Sequence, residues 1–288
     1  MKTGAEIFRI MTDDEEMFFS FSFPTPPEDD KGTAHIIEHS VLSGSKSFDV
    51  ADPFETCSSL SALSYINAET HPDWTTYPVA STVKKDFISA FRMYADAVFN
   101  PLLKKETFLK EGVRGIFEQN GDLTGFTGVV CNEMREGEST RPKRMMDGIR
   151  RITAKGPDRF DSGGSIMCVP FLSYEEFISY YRRHYAPENC VLTIYGGSDC
   201  DELLDILDAD FLSRPTASEY FSCGGDSDGA KRMIPEYSDF ADRYGDASMM
   251  ELRKLKSGGF LEVPFSNLDA DKPSFAMVFD TGIYMSDP

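Results

Sequence analysis

The sequence predicts an α+β fold, helices laid against a sheet, on three observations. Phe19, Phe21 and Phe23 alternate with Ser20 and Ser22 over Met17–Phe23, the period of two expected of a strand with one face on a core. Phe87, Phe91, Tyr94 and Val98 recur at spacings of four, three and four, the period of a helix with one buried side. Ser173 and Glu176 form a capping-box pattern ahead of Phe177, Tyr180, Tyr181 and His184, which predicts a helix over Leu172–Tyr185.

The other elements follow in chain order. After the strand Met17–Phe23, the Pro- and Asp-rich run Pro24–Gly32 reads as a loop. Thr33–Leu42 reads as a helix with Ala34, Ile37, Val41 and Leu42 as its apolar positions, stopped by Ser43-Gly44-Ser45. Ala62–Thr70 and Thr75–Ala80 read as short strands about a turn at His71-Pro72-Asp73. The helix containing Phe87 starts near Thr82 and ends at Pro101, and a shorter one over Leu103–Lys110 is stopped by Gly112. Val191–Tyr195 reads as a buried strand ending in Gly196-Gly197. Residues 1–213 are therefore expected to form one domain. Between Asp201 and Met250, 12 acidic residues face 4 basic ones, and residues 214–258 are expected to be an acidic linker. Residues 259–288, with strand candidates at Phe260–Val263 and Phe275–Phe279, are expected to begin a second domain.

Composition narrows the function classes. The 288 residues carry 29 basic and 48 acidic side chains, a formal net charge of −19. Such a chain repels phosphate backbones, which argues against nucleic acid as a partner. Hydrophobic residues at 41% and charged residues at 27% are globular values. No apolar run approaches the length of a membrane span, and the first residues lack the pattern of a secretory signal. The six cysteines, Cys57, Cys131, Cys168, Cys190, Cys200 and Cys223, include no C-x-x-C pair, so they read as free thiols in a reducing compartment.

Histidine carries the chemistry. Of the four in the chain, His35 and His39 fall in one pentapeptide, His35-Ile36-Ile37-Glu38-His39. On a helix, positions i and i+4 lie one turn apart on the same face, so both imidazoles can reach one metal ion, zinc being the usual choice for nitrogen ligands. Glu38 borders that face, where a carboxylate can take a proton from a water that the metal has acidified. The H-x-x-E-H order is the inverzincin signature. A third ligand, His, Asp or Glu, must come from elsewhere; spacing does not choose it, and His71 beside Pro72 reads as a turn residue.

The run Gly32-Thr33-Ala34-His35-Ile36-Ile37-Glu38-His39-Ser40-Val41-Leu42-Ser43-Gly44-Ser45 resembles the metal helix of pitrilysin-family zinc metallopeptidases, in their presequence-protease branch. Asn67-Ala68, Tyr77-Pro78-Val79-Ala80-Ser81-Thr82, Asp96-Ala97-Val98-Phe99, Glu111-Gly112, Gly128-Val129-Val130-Cys131-Asn132-Glu133-Met134, Asp161-Ser162-Gly163-Gly164 and Leu172-Ser173-Tyr174-Glu175-Glu176-Phe177 resemble the same branch in order and spacing. The resemblance implies a mostly antiparallel sheet flanked by helices, with a second similar domain beginning near the end of the chain. It implies one Zn2+ per chain held by His35, His39 and Glu133, the last 94 residues beyond His39. It implies Glu38 as general base, and an edge strand at Asn67 and Ala68 to which an unfolded peptide adds. It also implies a mitochondrial or other organelle matrix, with the cytoplasm as the alternative, and an endopeptidase whose distant half supplies further substrate-binding groups. That half has no counterpart here, so two readings stand: a peptidase of unfolded, presequence-like peptides, and an incomplete or non-catalytic zinc- or partner-binding module that needs a second-half chain.

Overall fold

The computed structural model describes residues 4–50, 52–154, 156–197 and 200–212, and the backbone of two short strands at 252–255 and 258–261. The alternation at Met17–Pro24 (β2) puts Phe19, Phe21 and Phe23 at 1% exposure or less. β2 is central, bonded antiparallel to Trp74–Ser81 (β5) on one side and Val191–Gly196 (β8) on the other. Glu6–Met11 (β1) adds outside β8 in the parallel sense. The opposite edge is made of Tyr65–Ile66 (β3) and Glu69–Thr70 (β4), both antiparallel to β5. The sheet is thus mostly antiparallel, in the order β1-β8-β2-β5-β3 with β4 also on β5.

The face bearing Phe19, Phe21 and Phe23 is covered by helices. Lys84–Phe99 (α3) buries Phe87, Phe91, Tyr94, Val98 and Phe99 completely. Its rings meet the strand edge-on and tilted: Phe19 lies 5.1 Å from Phe91 and 5.3 Å from Phe87. Each such ring contributes about 2–3 kcal/mol by leaving water. Tyr174–His184 (α7) starts with the capping box formed, Glu176 N donating to Ser173 Oγ at 3.2 Å and Ser173 N to Glu176 Oε2 at 2.8 Å. Tyr185, just past α7, stacks on Phe23 at 4.5 Å.

Between these lie Thr33–Val41 (α1), Pro53–Leu60 (α2), Lys105–Glu111 (α4), a hairpin of Arg114–Phe117 (β6) and Leu123–Thr127 (β7), Val129–Glu138 (α5) and Arg141–Thr153 (α6). Glu202–Ile206 (α8) follows β8. None of β1, α2, the hairpin, α5, α6 or α8 is announced by an apolar period. α6, with the sequence RPKRMMDGIRRIT, is held by ion pairs instead, Lys143 and Arg150 both reaching Asp147 and Asp161.

Three expected elements change shape. Ala62–Thr70 is not one strand but the two-residue pieces β3 and β4, for a reason that lies in Pro78 opposite. The helix expected from Leu103 begins at Lys105, because buried Leu103 takes a left-handed φ of 44°. Leu252–Leu255 (β9) pairs antiparallel with Gly258–Leu261 (β10), so strand structure begins inside the span expected to be linker. The rest of that span, the strand candidate Phe275–Phe279 and Cys223 lie outside the described residues.

Candidate metal centre

α1 begins without a side-chain cap. Gly32 holds φ 69°, and a Cβ there would stand 2.6 Å from Gly163 O. The contact is mutual, since a Cβ on Gly164 would meet Gly32 Cα at 2.7 Å. This glycine-on-glycine approach brings the loop after α6 against the first turn of α1. Ile36, Ile37 and Val41 anchor α1 in the core, fully buried. His35 and His39 flank them, their ring centroids 5.0 Å apart and their side chains 14% and 22% exposed.

A second glycine pair delivers the third group. A Cβ at Gly128 would lie 2.1 Å from Gly112 O, so the start of α5 sits directly on the end of α4. Val130 and Cys131 turn into the core and leave Glu133 on the open side of α5. Glu133 Oε2 stands 3.3 Å from His35 Nε2 and 3.7 Å from His39 Nε2. Among the described residues, one ligand atom from each of His35, His39 and Glu133 falls within 4.8 Å of the other two.

What stands behind the imidazoles fixes which nitrogen faces this centre. His35 Nδ1 lies 3.3 Å from Gly163 O. A carbonyl only accepts, so Nδ1 carries the proton and Nε2 presents its lone pair. His39 Nδ1 lies 3.5 Å from Oε2 of Glu111, the last residue of α4, only 5% exposed. Lys110 Nζ at 2.9 Å and Ser43 Oγ at 3.4 Å hold Oε1 of the same carboxylate. Burial pushes the Glu111 carboxyl up, but His39 and Lys110 outweigh it and keep it below the ordinary value. Burial likewise pulls His39 down, while Glu111, Glu38 and Glu133 together hold it above the ordinary imidazole value. Glu133 is lowered, chiefly by its hydrogen bond with His35. Two nitrogens and one carboxylate oxygen converge on one point, each imidazole backed by an acceptor, which matches the donor set and outer shell that a three-ligand zinc site requires. The residues fit that metal.

Glu38 is 7% exposed, and no donor among the described residues hydrogen-bonds its carboxylate. Its oxygens are not among the side-chain atoms that burial seals without a partner, so the carboxylate keeps contact with solvent. α1 also packs against β4, beside Asn67 and Ala68. Asn67 Nδ2 donates to Glu69 Oε1 at 2.9 Å and to Tyr65 Oη at 3.2 Å, so its side-chain donor is engaged within the edge itself. His71 takes no part in the cluster: it stacks on Trp74 at 3.9 Å and pairs with Glu69 at 3.3 Å. Glu111 and the Gly163 carbonyl carry no predicted role. Glu111 differs in no local way from other helix-terminal acids, and a backbone carbonyl has no residue type to read.

Residues 25–119 match the family profile described as Insulinase (Peptidase family M16), and residues 172–241 the one described as Peptidase M16 inactive domain. Presequence protease 1, chloroplastic/mitochondrial, of Arabidopsis thaliana is 37% identical over 210 residues, covering 72% of this chain and 19% of its own. The mitochondrial presequence protease of Kluyveromyces lactis is 36% identical over 214 residues, covering 73% and 22%. The crystal structure of pitrilysin shares the fold with a TM-score of 0.58 at 20% identity, over 75% of this chain and 22% of that one. The chain spans about a fifth of the length of the curated relatives it matches. Among the described residues no helix is long and apolar enough to cross a membrane.

Proposed function

Since the chain belongs to the pitrilysin family of peptidases, family M16, in its presequence-protease branch, we propose that it carries the metal centre of a zinc endopeptidase acting on unfolded peptides. The observation that carries this reading is the convergence of His35, His39 and Glu133 beside a buried carboxylate, Glu38, that no donor among the described residues hydrogen-bonds. His35 Nε2, His39 Nε2 and a Glu133 oxygen would hold the ion. The chemistry zinc supplies in such a place is Lewis-acid polarisation of a carbonyl and a lowered pKa for water.

The protein's own groups do the rest. Gly163 O and Glu111 keep both imidazoles in the Nδ1–H tautomer, leaving Nε2 as ligand. Glu38 accepts a proton from the attacking water and returns it to the leaving amine, which needs a carboxylate within reach of both. In the ladder of β3 and β4 against β5, residues 65, 67, 69 and 71 point their backbone groups inward, as Asn67 N→Pro78 O and His71 N→Trp74 O record. Ala68 therefore points its N–H and C=O outward, and an extended peptide can add there as a further strand. The need for an extended backbone selects unfolded substrates.

A second reading is a module that binds zinc and requires groups outside this span for turnover, the span being about a fifth of the relatives' length. One experiment separates the two. The zinc-loaded chain is given a short unstructured fluorogenic peptide with and without chelator, alongside Glu38→Gln. The peptidase reading expects chelator-sensitive cleavage, lost in Glu38→Gln with metal content kept. Cleavage undiminished in that variant would refute the role of Glu38, and complete inactivity of a folded, zinc-loaded chain would favour the module.

A further inference from the structure

Pro78 sits in β5 directly opposite Asn67: the register that pairs Ile66 with Val79 and Glu69 with Thr76 is unbroken between them. Asn67 N donates to Pro78 O at 3.1 Å, so this is a hydrogen-bonded pair of an antiparallel ladder, which normally exchanges two bonds. Proline has no N–H to return. The Asn67 carbonyl is left without its ladder partner, and β3 and β4 part company here. The missing donor arrives from below. Tyr94, fully buried in α3 among Phe19 and Tyr77, donates its hydroxyl to Asn67 O at 3.0 Å.

We infer that Tyr94 is a positioning residue for the peptide-binding edge, substituting through Pro78 for a ladder hydrogen bond so that the Asn67–Ala68 segment is aimed by the rigid α3 core rather than by β5 alone. The inference rests on the reading of that edge as the substrate strand. An unrelated role, a core tyrosine satisfying its hydroxyl on whatever acceptor is near, makes a different prediction, because it does not depend on residue 78.

The test is a cycle of Tyr94→Phe and Pro78→Ala, built in zinc-loaded Glu38→Gln so that an unstructured fluorescent peptide is bound without being cut. Anisotropy gives the peptide Kd, and amide exchange reports residues 66–70 with no peptide present. Tyr94→Phe alone is expected to weaken binding and speed exchange about tenfold, the effect of one buried hydrogen bond, with zinc content kept. In the Pro78→Ala background, where the restored backbone N–H can serve Asn67 O, the same change is expected to cost less than about threefold. Equal costs in both backgrounds overturn the inference, as does unchanged exchange in Tyr94→Phe. A parent that binds no peptide sinks the substrate-edge reading, and with it the positioning role, even where exchange shows that Tyr94 anchors the edge.

Discussion

The two imidazoles of the candidate metal centre stand 5.0 Å apart on one helix and are backed by different groups. Behind His39 is Glu111, a buried carboxylate at the end of a helix locked to α5 by the Gly112–Gly128 contact. Behind His35 is a backbone carbonyl on a loop, and that loop is fastened by charge. Asp161 accepts from Gly163 N at 3.0 Å and pairs with Lys143 and Arg150 of α6. Asp30 accepts from Asp161 N at 2.8 Å and pairs with Arg151 at 2.9 Å. Both sides close on a glycine contact, short-ranged and steep, but the loop behind His35 depends in addition on ion pairs whose basic partners are partly exposed, and such pairs are individually weak and screened by salt. The His35 side should therefore be the softer of the two.

The strongest way to break the comparison is on the His39 side. Gly128→Ala places a methyl group 2.1 Å from Gly112 O, and is expected to cost about 3 kcal/mol in denaturant unfolding together with loss of stoichiometric zinc. Gly137→Ala on the same helix meets nothing within 4 Å and should be neutral or stabilising by up to about 1 kcal/mol. Next, Glu111→Gln should keep the fold and weaken zinc binding about 10- to 100-fold in chelator competition. Asp161→Asn should do less, roughly tenfold at most, and the parent's affinity should drift toward that of the variant as salt rises. If Asp161→Asn cost as much as Glu111→Gln and were indifferent to salt, the contrast would be wrong.

The smallest expected effect is acid-induced. Burial raises the Asp161 carboxyl, but Lys143 and Arg150 bring it below its ordinary value of 3.8. A group depressed in the folded state contributes stability above that ordinary value and loses it as pH falls through the folded one. The gap in thermal midpoint between the metal-free parent and Asp161→Asn should then be full near pH 6 and close below about pH 4. A gap that persists unchanged to pH 3 would mean that the Asp161 charge is not what fastens the loop.

Local periodicity carried much of the architecture into the sequence. The alternating phenylalanines of β2, the four-three-four spacing of α3 and the capping box of α7 each report a contact or a bond within a few residues, so each is legible from neighbours alone. So is the placement of His35 and His39 on one face of α1. Where local pattern was weak, reading failed: α6 has charge in place of an apolar stripe, and β1 earns its strand from β8, some 185 residues on.

By itself, then, the sequence determined which side chains share a helix turn or a strand face, because bond geometry sets those distances. Only the tertiary structure decided which distant groups meet. Glu133 reaches the histidines because Gly128 lets α5 close on Gly112, and Glu111 stands behind His39 because α4 ends there. Gly163 offers His35 a carbonyl because Gly32 and Gly164 have no side chains to keep the backbones apart. Tyr94 finds Asn67 because proline removes a donor from the strand across from it. These are facts of backbone approach and missing hydrogen-bond partners, and they exist only once the chain has closed on itself.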